Sequence, residues 1–205
     1  MKTLAWQNFF TEQRDLHGKV VFSVPELANA AHTTLHALNT ELGRLVRRGI
    51  IHRYAHGRYG PSQGVGPEAI LSAVDPGAYI TGFYALFRYH LVTQVPSEVT
   101  CFTHRRHNRK SDRITPAGKL RFICVPPSVY ARPEGQVIAP AEQALCDFAW
   151  LNLRDGIDPQ SLATFQNLDT LSRRRLNKAL RRYPEKVRTT VARIVGSVAG
   201  TDSRP

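Results

Sequence analysis

The spacing of apolar residues divides the first sixty positions into short helices and a hairpin. Residues 4–16 set Leu4, Phe9, Phe10 and Leu16 among polar positions, which predicts an amphipathic helix stopped by Gly18. Lys19–Phe22 is a brief apolar stretch, expected as one short strand. Ser23-Val24-Pro25-Glu26 reads as a helix start: Ser23 caps a free N–H, Glu26 three residues on completes a capping box, and Pro25 is tolerated in the first turn. A short helix is expected over 26–31. After a break near His32, a third helix is predicted from about Thr33 to Arg48. Its Leu35, Leu38, Leu42, Leu45 and Val46 fall on one stripe at ~100° per residue. The opposite face carries Thr33, His36, Ala37, Thr40, Gly43, Arg44 and Arg47, and Gly49 ends the helix. Ile50–Tyr54, the Ala55-His56-Gly57 turn and Arg58–Gly60 predict a β-hairpin.

Residues 61–67 are dense in Gly and Pro and are expected as a linker. A short helix over 68–74 and a turn at 75–77 follow. Residues 79–90 are apolar nearly all round, which predicts a helix central to a second core. Strands are expected over 99–103, 113–115, 120–125 and 136–138, with the basic loop 104–112 inside one hairpin. A helix opened by Pro140 runs over 139–151, and 159–197 are mostly helical. The expected fold class is α+β. A winged helix-turn-helix over 1–60 and a linker at 61–67 precede a mixed α+β domain over 68–197, which has a small sheet and C-terminal helices. A flexible tail over 198–205 completes the chain.

The 205 residues suit one large domain or two small ones. No apolar run approaches the ~20 residues needed to span a bilayer, and polar residues interrupt any signal-peptide pattern near the start. A cytoplasmic protein with no membrane partner is expected. Cys101, Cys124 and Cys146 form no C-x-x-C pair and are expected as reduced thiols.

Charge adds a partner class. The net +12 is concentrated in three islands: +4 over 32–59, +4 over 104–113 and +8 over 173–193, where nine basic residues face one acidic residue. Such islands suit a polyanion, because each cation placed on a phosphate releases counterions. A recognition helix needs one apolar face to seat it and one polar face for the major groove. Candidate DNA-binding residues are therefore Thr33, Thr34, His36, Ala37, Thr40, Arg44 and Arg47 on the helix, with Arg53, His56 and Arg58 on the hairpin. A second basic patch comprises Arg105, Arg106, Arg109, Lys110, Arg173, Arg174 and Arg181. The alternative is a protein-interaction module that binds a toxin or other partner, with DNA binding ancillary.

No catalytic constellation emerges. There is no [DE]-x-K tripeptide, no G-x-x-x-x-G-K-[ST] loop and no G-x-G-x-x-G. Glu142 and Asp147 share a helix but stand ~140° apart around it, so capping or surface roles are expected. His104 and His107, with His90 and Cys101 nearby, are surrounded by arginines that repel a cation. No enzyme activity, metal or cofactor is expected.

Three stretches carry a resemblance. One is Leu42-Gly43-Arg44-Leu45-Val46-Arg47-Arg48-Gly49-Ile50-Ile51-His52-Arg53, continuing to Gly57-Arg58-Tyr59-Gly60. The second is Ala78-Tyr79-Ile80-Thr81-Gly82-Phe83-Tyr84-Ala85-Leu86, followed by Val92-Thr93-Gln94-Val95-Pro96. The third is Ile138-Ala139-Pro140-Ala141-Glu142-Gln143-Ala144-Leu145-Cys146-Asp147. In this order the chain resembles AbiEi-type antitoxins of type IV toxin–antitoxin systems; the Arg-rich segment near the C-terminus matches no motif of that family. The resemblance implies a repressor of its own operon that binds an inverted repeat. It also implies opposition to a nucleotidyltransferase-like toxin through the second domain, without a lasting complex.

Overall fold

The computed structural model describes residues 3–106 and 111–199. These form a mixed α+β structure of eight α-helices and two small sheets. The chain divides into two units. The first comprises the described part of Met1–Pro76 with Arg113–Lys119, and the second the described parts of Gly77–Asp112 and Leu120–Pro205. The stretch 61–67, expected as a linker, lies inside the first unit. Among the described residues no helix is long and apolar enough to cross a membrane.

The first unit opens with α1 (Thr3–His17), β1 (Phe22–Ser23), α2 (Val24–Ala31) and α3 (Leu35–Arg47). α1 is seated by Trp6 and Phe10, not by Leu4 and Leu16, which are 67% and 68% exposed. Leu4 lies across the helix from Trp6 and Leu16 in its last turn. The rings of Trp6, Phe9, Phe10 and Phe22 pack with centroids 5.3–6.0 Å apart. The capping box forms as expected: the Ser23 N–H donates to Glu26 Oε2 at 2.8 Å and the Glu26 N–H to Ser23 Oγ at 3.5 Å. α2 begins two residues earlier than its sequence suggests, at Val24. The hydrogen bond from Lys19 holds the Glu26 carboxyl well below its usual range, at about 2.

His32 adopts a left-handed conformation (φ 49°) and ends α2; two residues later Thr34 caps α3. Leu38, Leu42 and Leu45 are fully buried, each burial contributing about 1.5–3 kcal/mol. Leu35 was expected on the same stripe but is 53% exposed, because the first turn of α3 extends past the core. β2 (Ile51–Ala55) and β3 (Arg58–Pro61) form the expected hairpin, with Gly57 at φ 65° in its turn. β1 adds to β3, so the sheet order is β1-β3-β2, all antiparallel. A bulge between Arg53 and Ala55 takes up Tyr54, whose hydroxyl donates to the Pro61 carbonyl at 2.6 Å. α4 (Pro67–Val74) follows. Arg113 joins this unit by donating to the Tyr54 carbonyl at 3.4 Å.

In the second unit, residues 79–90 are not one helix. Tyr79–Thr81 form β4, buried and paired with β5 (Glu98–Thr103), and Gly82 at φ 64° turns the chain into α5 (Gly82–Arg88). A run buried on every side has no period to tell strand from helix. With β6 (Asp112–Thr115) and β7 (Gly118–Cys124), of which residues 113–115 and 118–119 are counted with the first unit, the four-stranded sheet runs in the order β4-β5-β7-β6. The basic segment 104–111 therefore joins β5 to a strand that is not its neighbour, and the hairpin is β6–β7. Residues 136–138 make only a single parallel bridge, Ile138 to Ile80, rather than a strand.

The central helix is α6 (Ala141–Arg154), which buries every residue from Glu142 to Ala149. The core around it takes in side chains of α5, α7 (Arg173–Leu180) and α8 (Glu185–Ala199). α7 contributes Leu176 and Ala179, and α8 contributes Val187, Val191 and Ile194. α8 runs to Ala199, two residues into the stretch expected as a tail; residues 200–205 lie outside the described residues.

Two glycines of the first unit separate backbone clash from backbone freedom. A Cβ on Gly60 would stand 2.1 Å from the Val20 carbonyl oxygen, whereas one on Gly43 meets nothing nearer than 3.7 Å, at the end of Arg47. Gly60→Ala should lower stability by about 1–3 kcal/mol or more. Gly43→Ala should raise it by about 0.5–1 kcal/mol. Urea denaturation of both variants checks the contrast.

Candidate nucleic-acid interface

α3 presents two chemically distinct faces. Its inward face is Leu38, Leu42 and Leu45. The outward face carries His36, Ala37, Thr40, Arg44 and Arg47, all exposed. Of the ten residues singled out on α3 and the hairpin, nine are exposed, and Thr33 is half-buried in the turn before α3. The Thr33 N–H donates to the Ala28 carbonyl at 3.2 Å, which docks that turn onto α2. Thr34 serves the helix itself, its hydroxyl oxygen accepting from the Ala37 N–H at 3.4 Å. The Thr40 hydroxyl donates back to the His36 carbonyl at 3.5 Å.

Arg44 is held by its neighbour. Its Nη2 lies 3.5 Å from Glu41 Oε1, which also accepts from the indole Nε1–H of buried Trp6 at 2.9 Å. The core of the unit thus fixes the carboxylate that orients this guanidinium. On the hairpin, Arg53 bonds His56 Nδ1 at 3.0 Å and stands 5.9 Å from the Tyr59 ring centroid. Arg58 is exposed on β3.

Asn39 belongs to this face and was missed by the sequence reading. It is exposed and stands three residues after His36, so the same helical arithmetic reaches it. Its side-chain amide offers both a donor and an acceptor. Glu41 was also missed; its signal, a tie to Trp6 from 35 residues away, is not local.

The second basic patch is distributed over the second unit. Arg105 and Arg106 are exposed just after β5, and the Arg105 N–H donates to Thr103 Oγ1 at 3.1 Å. Arg173, Arg174 and Arg181 are exposed on and just after α7. Arg109 and Lys110 lie outside the described residues.

Glu142 and Asp147 are not surface groups. Glu142 is 2% exposed, and its Oε1 accepts from the Ser172 N–H at 2.8 Å and from Arg175 Nε at 2.9 Å, closing the first turn of α7. Asp147 is fully buried and accepts from the Thr81 hydroxyl at 2.6 Å and the Tyr183 hydroxyl at 2.5 Å. Burial pushes its carboxyl up to about 7, against the lowering effect of these hydroxyl donors. The same burial, with the Asp147 charge beside them, pushes the Cys146 thiol and the Tyr183 phenol up. Asp147 joins β4, α6 and the segment before α8 through these two hydrogen bonds. No family model matches the chain, and no curated protein matches it.

The Asp147 carboxyl sits above its ordinary value of 3.8 in the folded protein. The native state therefore holds a proton that the unfolded state releases. Stability should fall as pH rises from about 4 to about 7 and level off above that. Asp147→Asn should flatten this part of the profile in urea midpoints measured against pH. An unchanged slope would assign the dependence to other groups.

Proposed function

We propose that the protein is a sequence-specific DNA-binding repressor of the antitoxin type, its first unit acting as a winged helix-turn-helix. The observation that carries this reading is the two-sided build of α3. Leu38, Leu42 and Leu45 are buried while His36, Asn39, Thr40, Arg44 and Arg47 are turned out. On this reading α3 enters the major groove, where arginine reads guanine and asparagine reads adenine through paired hydrogen bonds. Arg53, His56 and Arg58 at the hairpin lie on the sugar–phosphate backbone or in the minor groove. The exposed arginines of the second unit, Arg105, Arg106, Arg173, Arg174 and Arg181, add phosphate contacts. Phosphate contacts set register and affinity, and base-edge contacts set sequence.

The antitoxin part of the proposal is supported by the resemblance of the three sequence stretches to AbiEi-type proteins. On that reading two copies occupy an inverted repeat upstream of their own operon in the cytoplasm. The second unit opposes a nucleotidyltransferase-like toxin encoded beside it.

Operator binding should be steeply salt-dependent. With 6–10 phosphates neutralised, affinity falls by about 10³–10⁵ between 50 and 200 mM salt. Arg44→Ala should cost about 1–3 kcal/mol on the operator and little on random duplex. Fluorescence anisotropy on both duplexes measures the two effects, and a salt slope near zero would overturn the proposal. Toxin antagonism should be separable: Arg44→Ala with Arg47→Ala should lose repression of an operon reporter yet still rescue growth when the neighbouring toxin gene is induced.

A further inference from the structure

We propose that the cleft between the first turn of α6 and the outer side of α7 binds a short chain of phosphates, a diphosphate or triphosphate, free or borne by a nucleotide. This inference lies wholly within the second unit and does not depend on the DNA-binding reading. The cleft measures about 210 Å³ and is lined by Pro140, Glu142 and Gln143 on one side and by Arg175, Lys178 and Arg182 on the other. It is smaller than the ~300–1,000 Å³ of sites that enclose a drug-sized molecule. Its size suits a phosphate moiety, with any nucleoside left outside.

Arg175 and Lys178 stand three residues apart on α7, about 60° apart around it, and Arg182 follows in the turn just past its end; all three line the cleft. Leu176 takes the buried side, and buried Ala179 lines the cleft between the cations. Arg173, Arg174 and Arg181, the residues of the second basic patch on this segment, do not line the cleft.

Arg175 is built into place. Buried Glu142 takes its Nε at 2.9 Å while also accepting from the Ser172 N–H at 2.8 Å. The Nε edge of the guanidinium is thereby fixed, and its Nη groups remain open in a side chain that is 69% exposed. An arginine held in this way offers a pre-oriented fork of donors to a phosphate. Glu142 offsets one of the three positive charges. Lys178 and Arg182 make no ion pair among the described residues, so two charges in the cleft are left without a counterpart. A phosphate chain of two or three groups supplies anionic charge along the length over which the cations are spread.

Calorimetric titration of the full chain with pyrophosphate, tripolyphosphate and ATP, at fixed ionic strength, tests the proposal. Saturable binding at one site per chain is expected, and adenosine without phosphates should not bind. Lys178→Gln with Arg182→Gln should weaken pyrophosphate binding at least tenfold. Arg173→Gln with Arg174→Gln removes the same charge from residues that do not line the cleft and should change it less than twofold. No saturable binding, or equal weakening by both double variants, overturns the proposal. So does displacement of pyrophosphate by random duplex DNA whose own binding is lost in the Lys178/Arg182 variant, since that assigns the cleft to a nucleic-acid backbone.

Discussion

Trp6, Phe10 and Phe22 meet Leu38, Leu42 and Leu45 in a single buried cluster, and the first unit is organised around that junction. The aromatic side comes from α1 and β1 and the aliphatic side from α3. Because every apolar residue of the seam is spent inward, the remaining arc of α3 is free to be polar. The hairpin follows directly: Ile50 and Ile51 leave α3 still in contact with the cluster, so β2 starts from the same anchored point. The helix face and the hairpin that together make up the candidate interface are therefore set by one piece of packing.

The cluster also reaches the surface chemically. Trp6 is fully buried, yet its indole N–H finds Glu41, and Glu41 lies beside Arg44. A buried indole needs an acceptor; here that need places a carboxylate next to a candidate base-reading arginine. The second unit repeats the logic with different residues. Glu142 satisfies the start of α7 and in doing so orients Arg175. In both units a fixed carboxylate restrains an exposed guanidinium.

Elements whose signals are local were legible in the sequence. The Ser23–Glu26 capping box, the Leu38–Leu42–Leu45 spacing, the glycine turn at Gly57 and the proline ahead of α6 all rest on residues within a turn or two of each other. What was not legible depends on partners distant in sequence. Tyr79–Thr81 are a strand because β5 offers them a ladder and Ile80 also bonds to the 137–139 segment. Asp147 is buried because Thr81 and Tyr183, 66 and 36 residues away, supply its donors. Leu4, Leu16 and Leu35 counted as core by their apolarity, but each lies at an end or on the far side of its helix. Nine of the ten candidate residues on α3 and the hairpin could be placed on an exposed surface because helix period and turn chemistry alone decide which way they face.

The first unit is not continuous along the chain. Arg113, which donates to the Tyr54 carbonyl, belongs to it across a gap of more than thirty residues. During synthesis at the ribosome, the helices and hairpin emerge well before this late strand does. Residues 1–76 are therefore all made before 113–119, the remaining residues of their unit, have been added. A truncation cut at the apparent end of the hairpin would remove Arg113, and with it the donor to the Tyr54 carbonyl.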